Sequence, residues 1–467
     1  MTNTRFRAAL AGAAMTVFAC VAAPQASAED LLDIYQRALQ SDPQIREAEA
    51  NLLANSELRP QARGLLFPQI NASGSETRSE NGGVQVFPAF DEDSGQIIQA
   101  TNTFESENIE QTFWQLQLRQ TVFRWDQFIG LQQADKRVAE AEANYEGAQQ
   151  GLMLRVAERY FDVLAAEDSL EASEANKTAI AKQLDQAQKR FEVGLIAITD
   201  VQESQAAFDQ AVADEIAAKR TLANAKNLLA EITGDSSGDL AKPGAAVPLI
   251  APSPADEDQW VARALEQNLD LIASRISADI ASKEVSSRRS GYMPTLDLVV
   301  SRSSNENDQE QSNNGLPFQD VFSSSDQDSI SLQFNVPIFA GGTNTSRVRE
   351  AVYLHRAARE RAQRIARETE RLARDSYLGV LAEISRTKAL EQALKSSEVA
   401  LEATQAGFEV GTRTTVDVLD AQRQLFNART QYLRARYDYL LNVLRLKQAS
   451  GALQVQDLER INSLLEG

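Results

Sequence analysis

The stretch KRFEVGLIAITDVQ, Lys189 to Gln202, is written again as AGFEVGTRTTVDVL, Ala406 to Leu419, 217 residues further along. Each copy carries Phe-Glu-Val-Gly at the end of a long helical pattern and an aspartate at the start of the next. Glycine ends a helix because it takes positive φ without a Cβ clash, so Gly194 and Gly411 mark two turns between helices. Within residues 190 to 211, 8 of 22 positions are identical to the position 217 residues on, among them Phe191, Val193, Asp200 and Val201.

The register extends upstream, where Tyr160 matches Tyr377 and Val163-Leu164-Ala165 matches Val380-Leu381-Ala382. Further up the offset becomes 226, with Ala38-Leu39 against Ala264-Leu265 and Pro68 against Pro294. A repeat of this length is a duplicated domain. The first copy holds about ten more residues between Pro68 and Phe123 than the second between Pro294 and Phe339, which predicts a longer surface loop. Residues 29–234 form one repeat and 259–467 the other. Between them, 235–258 contains Pro243, Pro248, Pro252 and Pro254 and reads as a connector without regular structure.

Residues 1–28 read as an export signal, since Arg5 and Arg7 precede the apolar run Ala8 to Ala23 and the small-residue site Ala26-Ser27-Ala28. The two basic residues of the signal leave 45 against 66 acidic, a net charge of about −21 that argues against nucleic acid as a partner. Cys20 is the only cysteine and lies in the signal, so the mature chain has neither a disulfide nor a thiol metal site. Val17-Phe18-Ala19-Cys20 also loosely resembles a lipid-attachment box, which leaves lipidation of Cys20 as an alternative. After the signal no window has eighteen or more apolar residues. Export without a helical anchor leaves the periplasm, the medium, or an outer membrane entered through β-strands.

Each repeat has the same parts in order. A helix (about Leu31 to Leu66; Gln259 to Gly291) stops before a proline, and two strands separated by a polar loop follow. In the first copy Trp114, Leu116, Leu118 and Val122 alternate with mostly polar residues, with Gln120 interrupting the apolar row. In the second, Ile330, Leu332, Phe334 and Val336 alternate with Ser329, Ser331, Gln333 and Asn335. A half-buried soluble sheet would alternate in the same way. Against that reading, four strands are too few to close a barrel, and aromatics gather at the strand ends. Phe67, Phe123, Trp125, Phe128, Tyr292 and Phe339 lie on the helix side; Phe113, Trp114, Phe318 and Phe322 lie towards the loops.

Phe123 to Phe191 and Phe339 to Phe408 each span nearly seventy residues, about 100 Å of helix. Apolar positions step by four then seven at Leu152, Val156, Val163, Leu170 and at Leu390, Leu394, Leu401, Phe408, the spacing of coiled coils. Such helices pack lengthwise on other long helices. A barrel shared among several chains, with long helices below it, fits every feature.

The two turns, GLIAITDVQ from Gly194 and GTRTTVDVLD from Gly411, are similar to those of the TolC-type outer-membrane channels of efflux pumps and type I secretion. The likeness runs from DLLDIYQRALQSDPQIREAEA to LKQASGALQVQDL. It implies a mainly α protein with β. Four strands from each of three identical chains close a twelve-stranded barrel in the outer-membrane lipid, and their helices continue as a coiled-coil tunnel through the periplasm. It also implies a periplasmic adaptor and an inner-membrane ABC transporter or proton-driven pump as partners.

On residue chemistry alone, Thr199 with Gln202 and Thr414 with Asp417 have capping-box spacing. The resemblance adds a gate, in which Arg413 and a nearby aromatic hydroxyl tie the second turn to Thr199 and Asp200 of the first. Phe408 stands where the best-known member has tyrosine, so that hydrogen bond is missing and the latch rests more on Arg413 or is weaker. Asp417 and Asp420, three apart on one helical face, would form carboxylate rings that select cations. Acids in a first helical turn also suit the macrodipole without any such role.

His355, the single histidine, lies on a helix seam and reads as packing. No catalytic constellation, metal set or cofactor motif appears, so the chain is not expected to be an enzyme. The competing reading is a periplasmic coiled-coil adaptor or scaffold without a channel.

Overall fold

The computed structural model describes residues 28–244, 247–313 and 316–466. Residues 1–27, where the export signal and Cys20 are expected to lie, and the side chain of Phe318 fall outside that set.

Where sequence predicts one leading helix there are three, α1 (Leu31–Ser41), α2 (Pro43–Ser56) and α3 (Leu58–Gly64). Pro43 cannot donate into a preceding turn, and the Asp42 carboxylate caps the new helix by accepting from the Gln44 N–H at 3.0 Å.

The strands β1 (Gln69–Asp91) and β2 (Gln96–Phe123) form a hairpin far longer than its apolar stretch. Sequence alternation shows only where a face is apolar, whereas the backbone ladder continues through a mostly polar stretch to exposed Val84, Val86, Phe87, Phe90, Ile97 and Ile98 near the tip of the first hairpin. The extra residues of the first copy therefore lengthen a ladder instead of adding a loop. One residue, Arg124, separates β2 from α4 (Trp125–Glu192), which runs to the first turn and returns as α5 (Ile198–Thr233).

The connector holds a two-residue strand, β3 (Lys242–Pro243), that sequence reading missed. The second repeat opens with α6 (Glu257–Gln267) and α7 (Leu269–Arg289), again two helices where one is expected. Asn268 makes the break, accepting from the Leu271 N–H at 3.0 Å. A 3-10 turn (Ser290–Tyr292) leads to β4 (Thr295–Asn313) and β5 (Leu316–Asn335). A connector of residues 336–342, ending in Gly341 and Gly342 at positive φ, precedes α8 (Thr343–Glu409). After the second turn come α9 (Thr415–Ala449), α10 (Val455–Asn462) and β6 (Leu465–Glu466), which pairs with β3.

α4 and α8 contain 68 and 67 residues, each about 100 Å of continuous helix. No helix among the described residues is long and apolar enough to cross a membrane. The large sheet has the order β1-β2-β4-β5, every neighbour antiparallel, with the outer edges of β1 and β5 unpaired among the described residues.

At the base of the sheet the register sorts side chains into two faces, with Val299 the apolar exception on the polar one. Ile70, Leu118, Val300 and Ile330 stand in one cross-strand row, and the neighbouring row on that face holds Gln120, Leu298 and Leu332. The intruding Gln120 turns its amide to the backbone, donating to Leu66 O at 2.9 Å and Thr121 O at 2.7 Å. Asn71, Gln117, Ser301 and Ser329 form a row on the opposite face, where the two serine hydroxyls lie 2.8 Å apart. Ile330 is 78% exposed and Phe334 67%. In water each such side chain forgoes roughly 1.5–3 kcal/mol of burial.

The core forms a belt partway along the helical shaft. Leu152, Val156, Tyr160 and Leu164 of α4 pack with Leu229 of α5, Leu444 of α9, Leu31 of α1 and Leu458 of α10. Phe161 stacks on Tyr437 at 5.5 Å between ring centroids. Tyr437 donates to Asp168 Oδ2 at 2.6 Å, and Lys242 of β3 donates to Asp168 Oδ1 at 3.0 Å, pinning the connector to the shaft. Burial, then the neighbouring carboxylate, raises the Tyr437 hydroxyl above the ordinary tyrosine range, so it stays a donor.

The same joint is built twice. In the first repeat the Asp42 break receives Arg155, and a Cβ added at Gly234, past the end of α5, would come 3.3 Å from Ser41 Cβ. In the second, Asn268 donates to Ala449 O at 3.1 Å, and a Cβ at Gly451 would lie 2.1 Å from Gln267 O.

Candidate functional site

The two turns close in the same way. Leu195 N–H donates to Arg190 O at 2.9 Å and Thr412 N–H donates to Gly407 O at 2.8 Å, with Gly194 and Gly411 at φ 75° and 79°. These bonds satisfy carbonyls that a helix end leaves free.

The returning helices start differently. Thr414 and Asp417 form a full capping box: Asp417 N–H donates to Thr414 Oγ1 at 3.2 Å, and Thr414 N–H donates to Asp417 Oδ2 at 2.8 Å. The Thr414 hydroxyl also lies 2.9 Å from Asp417 Oδ2. In the first repeat the cap position is Ala197, so the expected Thr199–Gln202 box does not form. Only the reciprocal half exists, with Asp200 Oδ2 accepting from Ala197 N–H at 3.3 Å. Thr199 is exposed inside the first helical turn.

The hydrogen bonds from Thr414, and secondarily the positive charge of Arg413, hold the Asp417 carboxyl below the ordinary aspartate range. Its ionised form is the one that these donors favour. Asp420 accepts from Arg423 at 2.6 Å, one turn further along α9. Asp417 and Asp420 are both half-exposed. Each therefore has a local partner as well as access to solvent.

Arg413 is exposed, and its stem folds over Gly407: a Cβ at that glycine would come 2.8 Å from Arg413 Cγ. Within one chain and among the described residues, no hydrogen bond or ion pair joins Arg413 to Thr199 or Asp200. What joins the two repeats here is Arg190, whose guanidinium carbon sits 4.5 Å from the Phe408 ring centroid. Sequence reading missed Arg190 and Gly407. The signal was available, because the two occupy equivalent places in the repeat and differ in charge and size.

Apolar side chains decorate the tip, with Phe191, Val193, Leu195, Ile198 and Val410 all exposed. At the other end of the shaft Arg124 grips Asp297 through two bonds, 3.2 and 2.8 Å, with Asp297 buried at the joint of sheet and helix. His355 is half-buried on α8, and no group of three or more His, Cys, Asp or Glu suited to a metal occurs among the described residues.

Comparison with known proteins agrees with this geometry. The chain is 36% identical to the outer membrane protein TolC of Vibrio cholerae over 443 residues, covering 94% of both. It is 28% identical to the alkaline protease secretion protein AprF of Pseudomonas aeruginosa, covering 99% of this chain and 92% of the relative. Among solved structures, the outer membrane protein VceC from Vibrio cholerae superposes with a TM-score of 0.70 at 20% identity, covering 90% of this chain and 96% of that one. The profile of the family described as outer membrane efflux protein matches residues 34–235 and 260–452, the two repeats in turn, and the chain belongs to that family.

Proposed function

We propose that the chain is one protomer of a homotrimeric channel tunnel in the outer membrane of a Gram-negative bacterium, the exit duct of tripartite efflux pumps and of type I protein secretion. The observation that carries this is the sheet: four antiparallel strands, both outer edges open among the described residues, with one face at its helix-side base apolar and exposed and the other mostly polar. Open edges and exposed apolar rows are both costly in water. Repeating the chain about an axis removes both costs, since β5 then meets β1 of the next copy, the apolar face meets lipid, and the polar face lines water. Three copies give twelve strands, and the helices below them extend the duct by about 100 Å.

Arg413, Thr199 and Asp200 act at the periplasmic gate together with Phe408, and Asp417 and Asp420 give rings of negative charge at the constriction. The exposed apolar residues of the tip receive a periplasmic adaptor. Energy and cargo selection come from an inner-membrane ABC transporter or proton-driven pump, because the chain itself offers a conduit. The secretion role of the Pseudomonas relative and the efflux family match support both uses.

Purified trimer in a planar bilayer, recorded in asymmetric salt, tests the reading. A small, long-lived, cation-selective conductance is expected. A folded protein that never inserts would favour the scaffold.

A further inference from the structure

The duplication fixes more than the number of turns. Gln69 faces Arg119 at the base of the first hairpin and Thr295 faces Asn335 at the base of the second, so β1 maps onto β4 at an offset of 226 and β2 onto β5 at 216. Inside the chain the hairpins meet between β2 and β4, where Leu118 faces Val300 and Gln117 faces Ser301. That joint is a template for the one between copies.

We infer that β5 of one protomer pairs with β1 of the next in the register that places Phe334 opposite Gly74 and Gln333 opposite Ser75, a proposal that rests on the trimeric reading above. Side-chain chemistry agrees along the polar row and at the base of the apolar one, whereas higher up Leu332 meets Glu76 and Ile330 meets Arg78, as Leu116 meets Arg302 at the template joint. On the polar face Asn335 meets Ser73, Gln333 meets Ser75 and Ser331 meets Thr77. On the apolar face Phe334 covers Gly74, where even an added Cβ would touch only Phe113 O, at 3.6 Å. An aromatic beside a strand glycine fills the space that the glycine leaves. Continued downward, the same register brings Val336 and Ile338 of the 336–342 connector to Ala72 and Ile70. Ile338 is 94% exposed in one chain and Ile70 64%, so the least covered aliphatic side chain finds an apolar neighbour. A slip of one residue would turn Phe334 to the polar face. A slip of two would put Leu332 or Val336 beside Gly74 in place of the aromatic ring.

Cysteine pairs test the register, because the only native cysteine, Cys20, lies in the export segment. Residues directly opposite in an antiparallel pair have Cα atoms about 4.5–5.5 Å apart, inside the range a disulfide bridges, whereas diagonal positions fall outside it. Gln333→Cys with Ser75→Cys, oxidised and run on a denaturing gel, is expected to give a covalent trimer ladder. Its yield should exceed, by roughly tenfold, that of Gln333→Cys with Thr77→Cys or with Ser73→Cys. Gln117→Cys with Ser301→Cys, inside one chain, reports folding and oxidation. A shifted pair that links better overturns the register and leaves the trimer standing. Efficient intrachain linkage with no bond between chains at any of the three pairs overturns the trimer as well.

Discussion

The guanidinium of Arg190 lies over the ring of Phe408 at 4.5 Å, so the last turn of α4 in one repeat holds the last turn of α8 in the other. The contact needs only a ring face and makes no use of a ring hydroxyl. A cation over an exposed ring contributes about 0.5–1 kcal/mol.

Phe408→Leu keeps the bulk and removes the π-face. Summed over three copies the loss is about 1.5–3 kcal/mol, a roughly ten- to hundredfold rise in the open fraction. Single-channel records should show it as longer or larger openings, with Phe408→Trp restoring the closed behaviour. Equal records for Phe408→Leu and the parent would remove this contact from the gate.

Gly407→Ala distinguishes helix propensity from gate geometry. On propensity alone, alanine in a helix stabilises by about 0.8–1.0 kcal/mol. Here its methyl would displace the Arg413 stem. Conductance is expected to rise with the positive charge still present, and Arg413→Ser, which removes the stem, is expected to raise it too. A tighter, more heat-stable trimer with unchanged conductance would show that the stem yields freely.

The depressed Asp417 carboxyl predicts the pH dependence of selectivity. An aspartate whose pKa is lowered by folding contributes stability that is present above the ordinary value and lost as pH falls through the lower folded value. Cation selectivity carried by Asp417 should thus persist down to about pH 4, where ordinary aspartates are half protonated, and fade only below it. Reversal potentials measured across this range, beside Asp417→Asn, would reveal the difference. Fading already near pH 5 would assign the selectivity to other groups.

Gly451→Ala should damage folding more than Gly234→Ala. Both glycines have positive φ, but the added Cβ meets the backbone carbonyl of Gln267 at 2.1 Å in one case and a serine side chain at 3.3 Å in the other. Overpacking against backbone costs about 1–3 kcal/mol or more, beyond the strain common to both. Comparing the heat needed to dissociate each trimer on a gel checks the order, and equal midpoints would contradict it.

Much of this architecture was legible because it is written in periodicity. Alternation at Ile330 to Phe334 located the sheet, and the heptad steps at Leu152 to Leu170 located the shaft. The strands outran their signal because a mostly polar stretch interrupts the apolar period between the base of the first hairpin and Val84, Val86, Phe87 and Phe90 near its tip. The broken leading helices depend on Asp42 and Asn268, which act through caps that a pattern of apolar residues does not register. Thr199 looked like a cap by spacing, yet the cap position is Ala197, two residues earlier, and the helix already begins at Ile198. The belt was least visible, since Lys242, Asp168 and Tyr437 lie far apart in sequence and meet only when the connector wraps the helices.

The two repeats join sheet to shaft unequally. In one, a single residue, Arg124, connects β2 to α4, and its grip on Asp297 makes a stiff strut. In the other, residues 336–342 end in two glycines at positive φ before α8 begins, which makes a compliant link. When a pulling or twisting load reaches the tip, the α8–α9 arm can pivot about its glycines while the α4–α5 arm bears the load. The two arms of one chain thus differ in how stiffly they are hung from the sheet.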